Sequence, residues 1–321
     1  MDIKQIEDLR AMLPAGRTLF TYAKHQYGLQ LLRYAAPRPV PVSALRQTAA
    51  APLLQKPQVR TALAQCGKEI RREFLDTQIA YLLAPEHYVL TLDVWATASG
   101  RGRAMQTSRA GANLVLQLNF SNRHNRAFER LVKPKDGWEF NYRGHPVLRD
   151  ERASRRYTLA WARLDIDFDR GETLIEEIQT DWIRNALSLH GKIQSVMQGK
   201  MRRPHYWQHN FEGKDADIVE YCERYLAPHR ERWDEAMLSA TLFFLREELG
   251  ITNIWMHTPR SGIFLKQIDR FSAPPVSLYS DLPKRFCFRE TEALPGFLAR
   301  EKKTARRLRN LPNTRLQKFM L

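Results

Sequence analysis

Between Tyr157 and Thr180 the chain carries two runs whose polarity alternates residue by residue, separated by Asp169-Arg170-Gly171. In the first run Leu164, Ile166 and Phe168 interleave with Arg163, Asp165 and Asp167, which is the period of a strand and not of a helix. Glycine readily supplies the positive φ of a tight reversal, so the pattern predicts a β-hairpin with arms at 157–168 and 173–180. Side chains alternate across a strand. Ile175, Glu177, Gln179 and Asp181 are therefore expected on one face, and Leu174, Glu176, Ile178 and Thr180 on the other.

Around this hairpin the remaining texture is α/β. Residues 3–83 read as helical, broken at Pro37-Arg38-Pro39-Val40-Pro41 because proline excludes helical geometry around itself. Strands are expected at 88–92 and 113–120, with Ser121 to Arg126 as a polar, basic loop. An apolar stripe through Met237, Leu238, Thr241, Leu242 and Leu245 predicts a helix from Trp233 to Leu249, ended by Gly250. A strand over 251–258 follows. The expected fold class is α/β (α+β), a mixed central sheet with a β-hairpin and flanking helices, preceded by a helical N-terminal part. The parts are a helical 1–84, a core over 85–290 with a basic helical insertion at about 183–230, and a basic tail over 291–321.

Hydrophobic residues make up 43% of the chain, enough for a sizeable core. Lys and Arg number 51 against 35 acids, a net charge of +16 and a pI near 10.0. This balance favours a polyanionic partner, either nucleic acid or an acidic membrane surface, and nucleic acid, DNA or RNA, is the expected one; a protein partner is a separate reading, which predicts weak nucleic-acid binding. Arg101, Arg103, Arg123, Arg202, Arg203, Lys302, Lys303, Arg306 and Arg307 are the candidate phosphate contacts. Cys66, Cys222 and Cys287 stand alone, without CxxC spacing, which fits a reducing compartment and argues against a disulfide framework. No apolar leader opens the chain and no run of about 18 apolar residues occurs, so a cytoplasmic protein is expected.

Glu177 and Asp181 are the candidates for acid–base or cation chemistry, with Gln179 able to donate and accept hydrogen bonds between them. The same three residues also suit an edge strand whose carboxylates meet arginines. His257 falls near the end of the last strand, where α/β folds place ligands, and is followed by Thr258 and Arg260. His205 and His209 have the spacing of a shared metal site on a helix, but no HExxH accompanies them and no metal site is assigned. Neither a GxSxG elbow nor a GxxxxGK[ST] loop is present, and no cofactor follows from the residues.

The stretch Leu159-Ala160-Trp161-Ala162-Arg163, followed after an acidic turn by Ile175-Glu176-Glu177-Ile178-Gln179-Thr180-Asp181-Trp182, resembles a domain of large polyvalent proteins of phages and mobile elements. The similarity spans about residues 157–288. It includes Leu245–Thr258 and the Tyr279-Ser280-Asp281-Leu282-Pro283 segment. It implies that Arg163, Glu176, Glu177, Gln179, Asp181, Trp182, Thr258 and Tyr279 line one site, and it implies no reaction. Trp161 stands where that family has histidine. The order strand, insertion, helix, glycine, strand, tyrosine is also similar to the second half of acyl-CoA N-acyltransferases. That likeness implies a transferase with Tyr279 as the acid toward a thiolate and Glu177 or Asp181 as base. The [QR]xxGx[GA] pyrophosphate loop of those enzymes is missing after the central strand.

Overall fold

A computed structural model describes residues 1–12, 18–95, 106–148, 157–268, 275–309 and 315–321; Arg101 and Arg103 lie outside them. Ten strands are present among these residues: β1 (Thr18–Tyr22), β2 (Val40–Pro41), β3 (Glu69–Ile70), β4 (Glu86–Trp95), β5 (Asn113–Asn119), β6 (Thr158–Asp167), β7 (Glu172–Gln179), β8 (Asn253–His257), β9 (Phe288–Thr291) and β10 (Leu316–Phe319). Eight of them form one mixed sheet in the order β1-β4-β5-β6-β7-β8-β10-β9, with helices on both faces, and β2 and β3 pair separately. The fold is α/β. The expected hairpin is β6–β7, and Gly171 takes φ +59° in its turn.

Several local expectations are corrected. The N-terminal part is not wholly helical: Thr18-Leu19-Phe20-Thr21-Tyr22 adds an edge strand antiparallel to β4. The polar stretch after β5 is not a loop but opens the Asn122–Leu131 helix, whose buried Phe128 and Leu131 supply an apolar face that polar composition concealed. The tail contains β10, inserted between β8 and β9, so its last residues belong to the sheet. The Trp233–Phe243 helix runs on as a π-helical segment, Phe244–Glu248, before Gly250 at φ +67° turns the chain into β8.

One sheet face is apolar. Leu114, Leu116 and Leu118 of β5, Ala162, Leu164 and Ile166 of β6, Ile175 and Ile178 of β7, and Met256 of β8 share a buried cluster. Helices Tyr27–Ala35, Asp181–Met197 and Trp233–Phe243 contribute to that cluster. Trp182 sits at its centre, fully buried, with ring centroids of Phe120, Phe128 and Tyr157 at 5.2, 4.8 and 5.1 Å and its Nε1 donating to Tyr221 Oη at 2.7 Å. The expectation that Trp182 lines the site is therefore overturned: as the second residue of a helix, it points to the core. Trp182→Ala should lower unfolding free energy by about 3–5 kcal/mol, the range for emptying a buried aromatic site, read as a reduced urea midpoint.

Candidate functional site

The opposite face of the same strands is polar because of an irregularity in the hairpin. Arg163 pairs with Glu177, but Leu164 pairs with Ile175, so Glu176 is an extra residue, a β-bulge. The bulge breaks strict alternation. Glu176 and Glu177 both turn to the polar face, while Ile175 and Ile178 stay in the core. The expected separation of Glu176 from Glu177 is thus corrected.

Both carboxylates are enclosed and matched by cations. Arg163 Nη2 donates to Glu177 Oε2 and, at 2.9 Å, to the Gln106 carbonyl. Lys266 Nζ donates to the Glu176 carbonyl at 2.9 Å and lies 3.6 Å from Glu177 Oε2. Ser108 supplies Glu176 with its backbone N–H and its hydroxyl, each at 2.9 Å, and His257 Nε2 lies 3.1 Å from the same carboxylate. Burial opposes ionisation of Glu176 and Glu177. The His257 hydrogen bond for Glu176, and the Lys266 and Arg163 charges for Glu177, outweigh it and hold both below the usual carboxylate range. Burial likewise pulls Lys266 and His257 below their ordinary values.

Ser108, His257 and Glu176 are not a nucleophilic triad. In such a triad the carboxylate holds the imidazole nitrogen remote from the hydroxyl. Here both groups meet Nε2, at 3.0 Å for Ser108 Oγ, while Nδ1 faces Ser261 Oγ at 3.2 Å. Ser108, Glu176, His257, Arg163 and Lys266 are all buried. Thr258 is committed to structure as well: it caps the Pro259–Lys266 helix in a reciprocal capping box with Ser261. Arg260 is exposed on that helix.

Two strands away the polar face opens. A cleft of about 390 Å³ is lined by Asp93 and Trp95 of β4, Gln117 of β5 and the Gly144–Leu148 segment. At its edge, His145 Nδ1 lies 2.6 Å from Asp181 Oδ2. The His145 side chain is 25% exposed and that of Asp181 is fully enclosed. Asp181 is placed by the helix it begins: Thr180 Oγ1 accepts from Ile183 N, and a carboxylate in the first helical turn faces the positive end of the helix dipole. Gln179 Nε2 at 2.8 Å and Arg184 Nη2 at 2.6 Å complete its shell. Burial raises the Asp181 carboxyl, yet the His145 hydrogen bond and charge leave it below its ordinary value. An aspartate on Nδ1 fixes the tautomer and leaves Nε2 as the basic nitrogen.

The predicted residues therefore divide. Arg163, Glu176, Glu177 and His257 form one buried network; Gln179 and Asp181 join a separate, open pair with His145. Tyr279 joins neither: it is buried, its Oη accepts from the Ile178 N–H at 3.4 Å, and burial keeps its phenol protonated. Of the predicted phosphate contacts, Arg123, Arg202, Lys302, Lys303 and Arg306 are exposed. Arg203 is instead paired with Asp215 and lies over Trp207, and Arg307 donates to the Leu265 carbonyl at 3.0 Å. Sequence reasoning missed His145, Trp95 and Asp93. The His145 ring centroid lies 5.6 Å from that of Trp161.

Removing one charge from the buried network should cost far more than removing a pair. Lys266→Met is expected to destabilise by about 3–5 kcal/mol, and Glu177→Gln in the same chain to recover part of it, read from urea unfolding of the double-mutant cycle. Acid should act in the same sense. The lowered carboxyls stabilise fully above the ordinary carboxylate value near 4, and that stabilisation is lost as pH falls through their folded values. His257, held below 6.5, adds a loss that begins as pH drops beneath that value. The urea midpoint should fall as pH drops beneath 6.5, through His257, and fall further from about pH 4 toward 2 as Glu176 and Glu177 take up protons; a profile flat from pH 7 to about 2 would contradict the network.

No protein-family profile, curated protein or solved structure matches the chain, so a functional reading of this site stands on its own geometry and chemistry.

Proposed function

We propose that the protein is a nucleic-acid-associated enzyme whose chemistry takes place in the Trp95–His145 cleft, with His145 moving a proton and Asp181 holding its ring. The observation that carries this reading is the 2.6 Å contact between an accessible imidazole and an enclosed carboxylate at the edge of a cleft. Surface imidazoles that merely pair with acids do not need a carboxylate buried and bonded on every side. No serine, threonine or cysteine is among the described residues lining the cleft. Group transfer fits better: His145 Nε2 takes a proton from an attacking substrate group and returns it later to the departing one.

The association with nucleic acid is supported by the net charge of +16 and by exposed cations that form no ion pair among the described residues, Arg123, Arg202, Lys302, Lys303 and Arg306. They do not form a single patch. Arg123 belongs to the helical layer over the apolar sheet face, whereas the Lys302–Arg309 helix covers the polar face through Thr304, whose Oγ1 donates to the Ser108 carbonyl at 2.7 Å.

A second reading, an acyl-CoA-dependent N-acyltransferase, draws support from one feature. The parallel pair β7–β8 is in register only as far as Ile175 opposite Met256, and the strands then part. The backbone groups freed there are already used, since the Ile178 N–H meets Tyr279 and the Glu176 carbonyl meets Lys266. This leaves little for a pantetheine chain to pair with, and the cleft reading is preferred.

Fluorescence anisotropy with duplex DNA, single-stranded DNA and RNA across a salt series tests the partner, with a steep loss of affinity as salt rises expected from phosphate contacts. Mass spectrometry of the bound strand, after incubation with small-molecule cell extract, tests the chemistry. His145→Gln should bind the strand as before and lower product formation by about 10²–10⁴-fold. Absence of binding at low salt would remove the partner, and product formation unchanged by His145→Gln would remove the proposed mechanism. Calorimetry with coenzyme A separates the second reading, which requires binding.

A further inference from the structure

Two unlike charges line the cleft without neutralising each other. Arg10, exposed on the Ile3–Met12 helix, and Asp93, half-buried on β4, both belong to its wall. They do not pair with each other, and neither has another ion-pair partner among the described residues. Asp93 Oδ1 accepts from the Val94 N–H at 2.8 Å and Oδ2 from Gln117 Nε2 at 3.4 Å, and both of these donors are uncharged. A carboxylate offers about four acceptor sites, so further donors can be taken. The wall around Asp93 is held in place. Gln117 Nε2 donates to the Pro146 carbonyl at 2.9 Å and its Oε1 accepts from Thr91 Oγ1 at 2.5 Å, which ties the Gly144–Leu148 segment to β4 and β5.

A ligand suited to this lining carries both signs. A phosphate or a lone carboxylate meets Arg10 but adds negative charge to the cleft that holds Asp93, and a simple amine has the converse difficulty with Arg10. An uncharged ligand displaces water from both groups and returns no opposite charge to either. A zwitterion gives each its counter-charge. The cleft volume of about 390 Å³ lies in the range of small-molecule sites. Trp95, Val147 and Leu148 supply apolar surface against which the hydrocarbon part of such a ligand packs.

Resting on the reading of the cleft as the active site, we infer that its small-molecule substrate is a zwitterion of the amino-acid type, with its carboxylate received by Arg10 and its ammonium by Asp93. A guanidinium presents parallel N–H groups that match the two oxygens of a carboxylate. An ammonium has three donors and no acceptor, which suits the sites left open on Asp93. His145 lines the same cleft, so it faces a ligand whose two charged ends are fixed.

Calorimetry of the intact protein with the common L-α-amino acids, β-alanine and γ-aminobutyrate, each at millimolar concentration, tests the inference. One or more should bind saturably, at least about tenfold more tightly than the matching amine without the carboxylate or the matching acid without the ammonium. Asp93→Asn should weaken the amino acid about tenfold without weakening the acid analogue, and Arg10→Gln should weaken it as much without weakening the amine. A merely structural role for either residue would not produce this crossed pattern, and an unchanged melting temperature of each variant shows that the fold is kept. No saturable binding of any of these compounds, equal binding of amino acid and analogues, or tighter binding of inorganic phosphate or putrescine would each overturn the inference. His145-dependent product formation on the strand is read separately. Product without amino-acid binding would remove this inference alone, and amino-acid binding without such product would remove the active-site reading alone.

Discussion

Two carboxylates, Glu176 and Glu177, enter the protein interior side by side on one face of β7, and the polar half of the molecule is arranged around their charge. Consecutive strand residues normally point to opposite faces; the bulge at Glu176 brings them together. Adjacent buried carboxylates are tolerable only with cations and donors at close range. Arg163 comes from the neighbouring strand, Lys266 from the helix after β8, and Ser108 from the segment before β5. Each of these anchors an element. The Thr258–Ser261 capping box starts the helix that delivers Lys266, and Thr304 fastens the basic Lys302–Arg309 helix over Ser108.

This dependence explains why the Glu177-Ile178-Gln179-Thr180-Asp181-Trp182 stretch is dense in polar residues without being, in itself, an active site. Its members have unlike tasks. Glu176 and Glu177 hold the strand to its covering helix; Ile178 and Trp182 belong to the core; Thr180 caps a helix; and Gln179 and Asp181 hold His145. A short motif is read most naturally as one functional unit. Here it is a junction, where a bulged strand turns into a helix and residues leave in three directions.

What was legible in the sequence follows from which physics is local. The hairpin, its turn at Gly171, strand β5 and the glycine-terminated helix before β8 were all readable, because alternation, helical periodicity and φ preferences act over a few residues. The Asn122–Leu131 helix was concealed by its polar surface, since Phe128 and Leu131, which mark its buried side, lie beyond the part read as a loop. β10 was concealed by the cations around it. The bulge has no local signature, and it alone reversed the expected facing of Glu176. Asp181 was legible as a functional carboxylate, but its partner His145 was not, because the two are brought together only by the way the sheet and its loops pack.

The network and the cleft thus represent opposite solutions to placing polar groups on a sheet. In the network both oxygens of Glu176, Oε2 of Glu177 and the Lys266 ammonium are matched within the protein. Among the described residues, the imidazole beside the cleft keeps Nε2 uncommitted, and Trp95 Nε1, Trp161 Nε1 and Arg163 Nε and Nη1 are left unpaired. Arg163 touches both: its Nη2 is spent on Glu177 and Gln106, and its guanidinium lies 4.6 Å from the Trp95 ring centroid. The same ion pair that stabilises the bulge therefore fixes the guanidinium that faces the cleft wall. Binding chemistry at Trp95 rests on the rigidity of the buried carboxylates, and a change at Glu177 would be felt in the cleft without touching any residue that lines it.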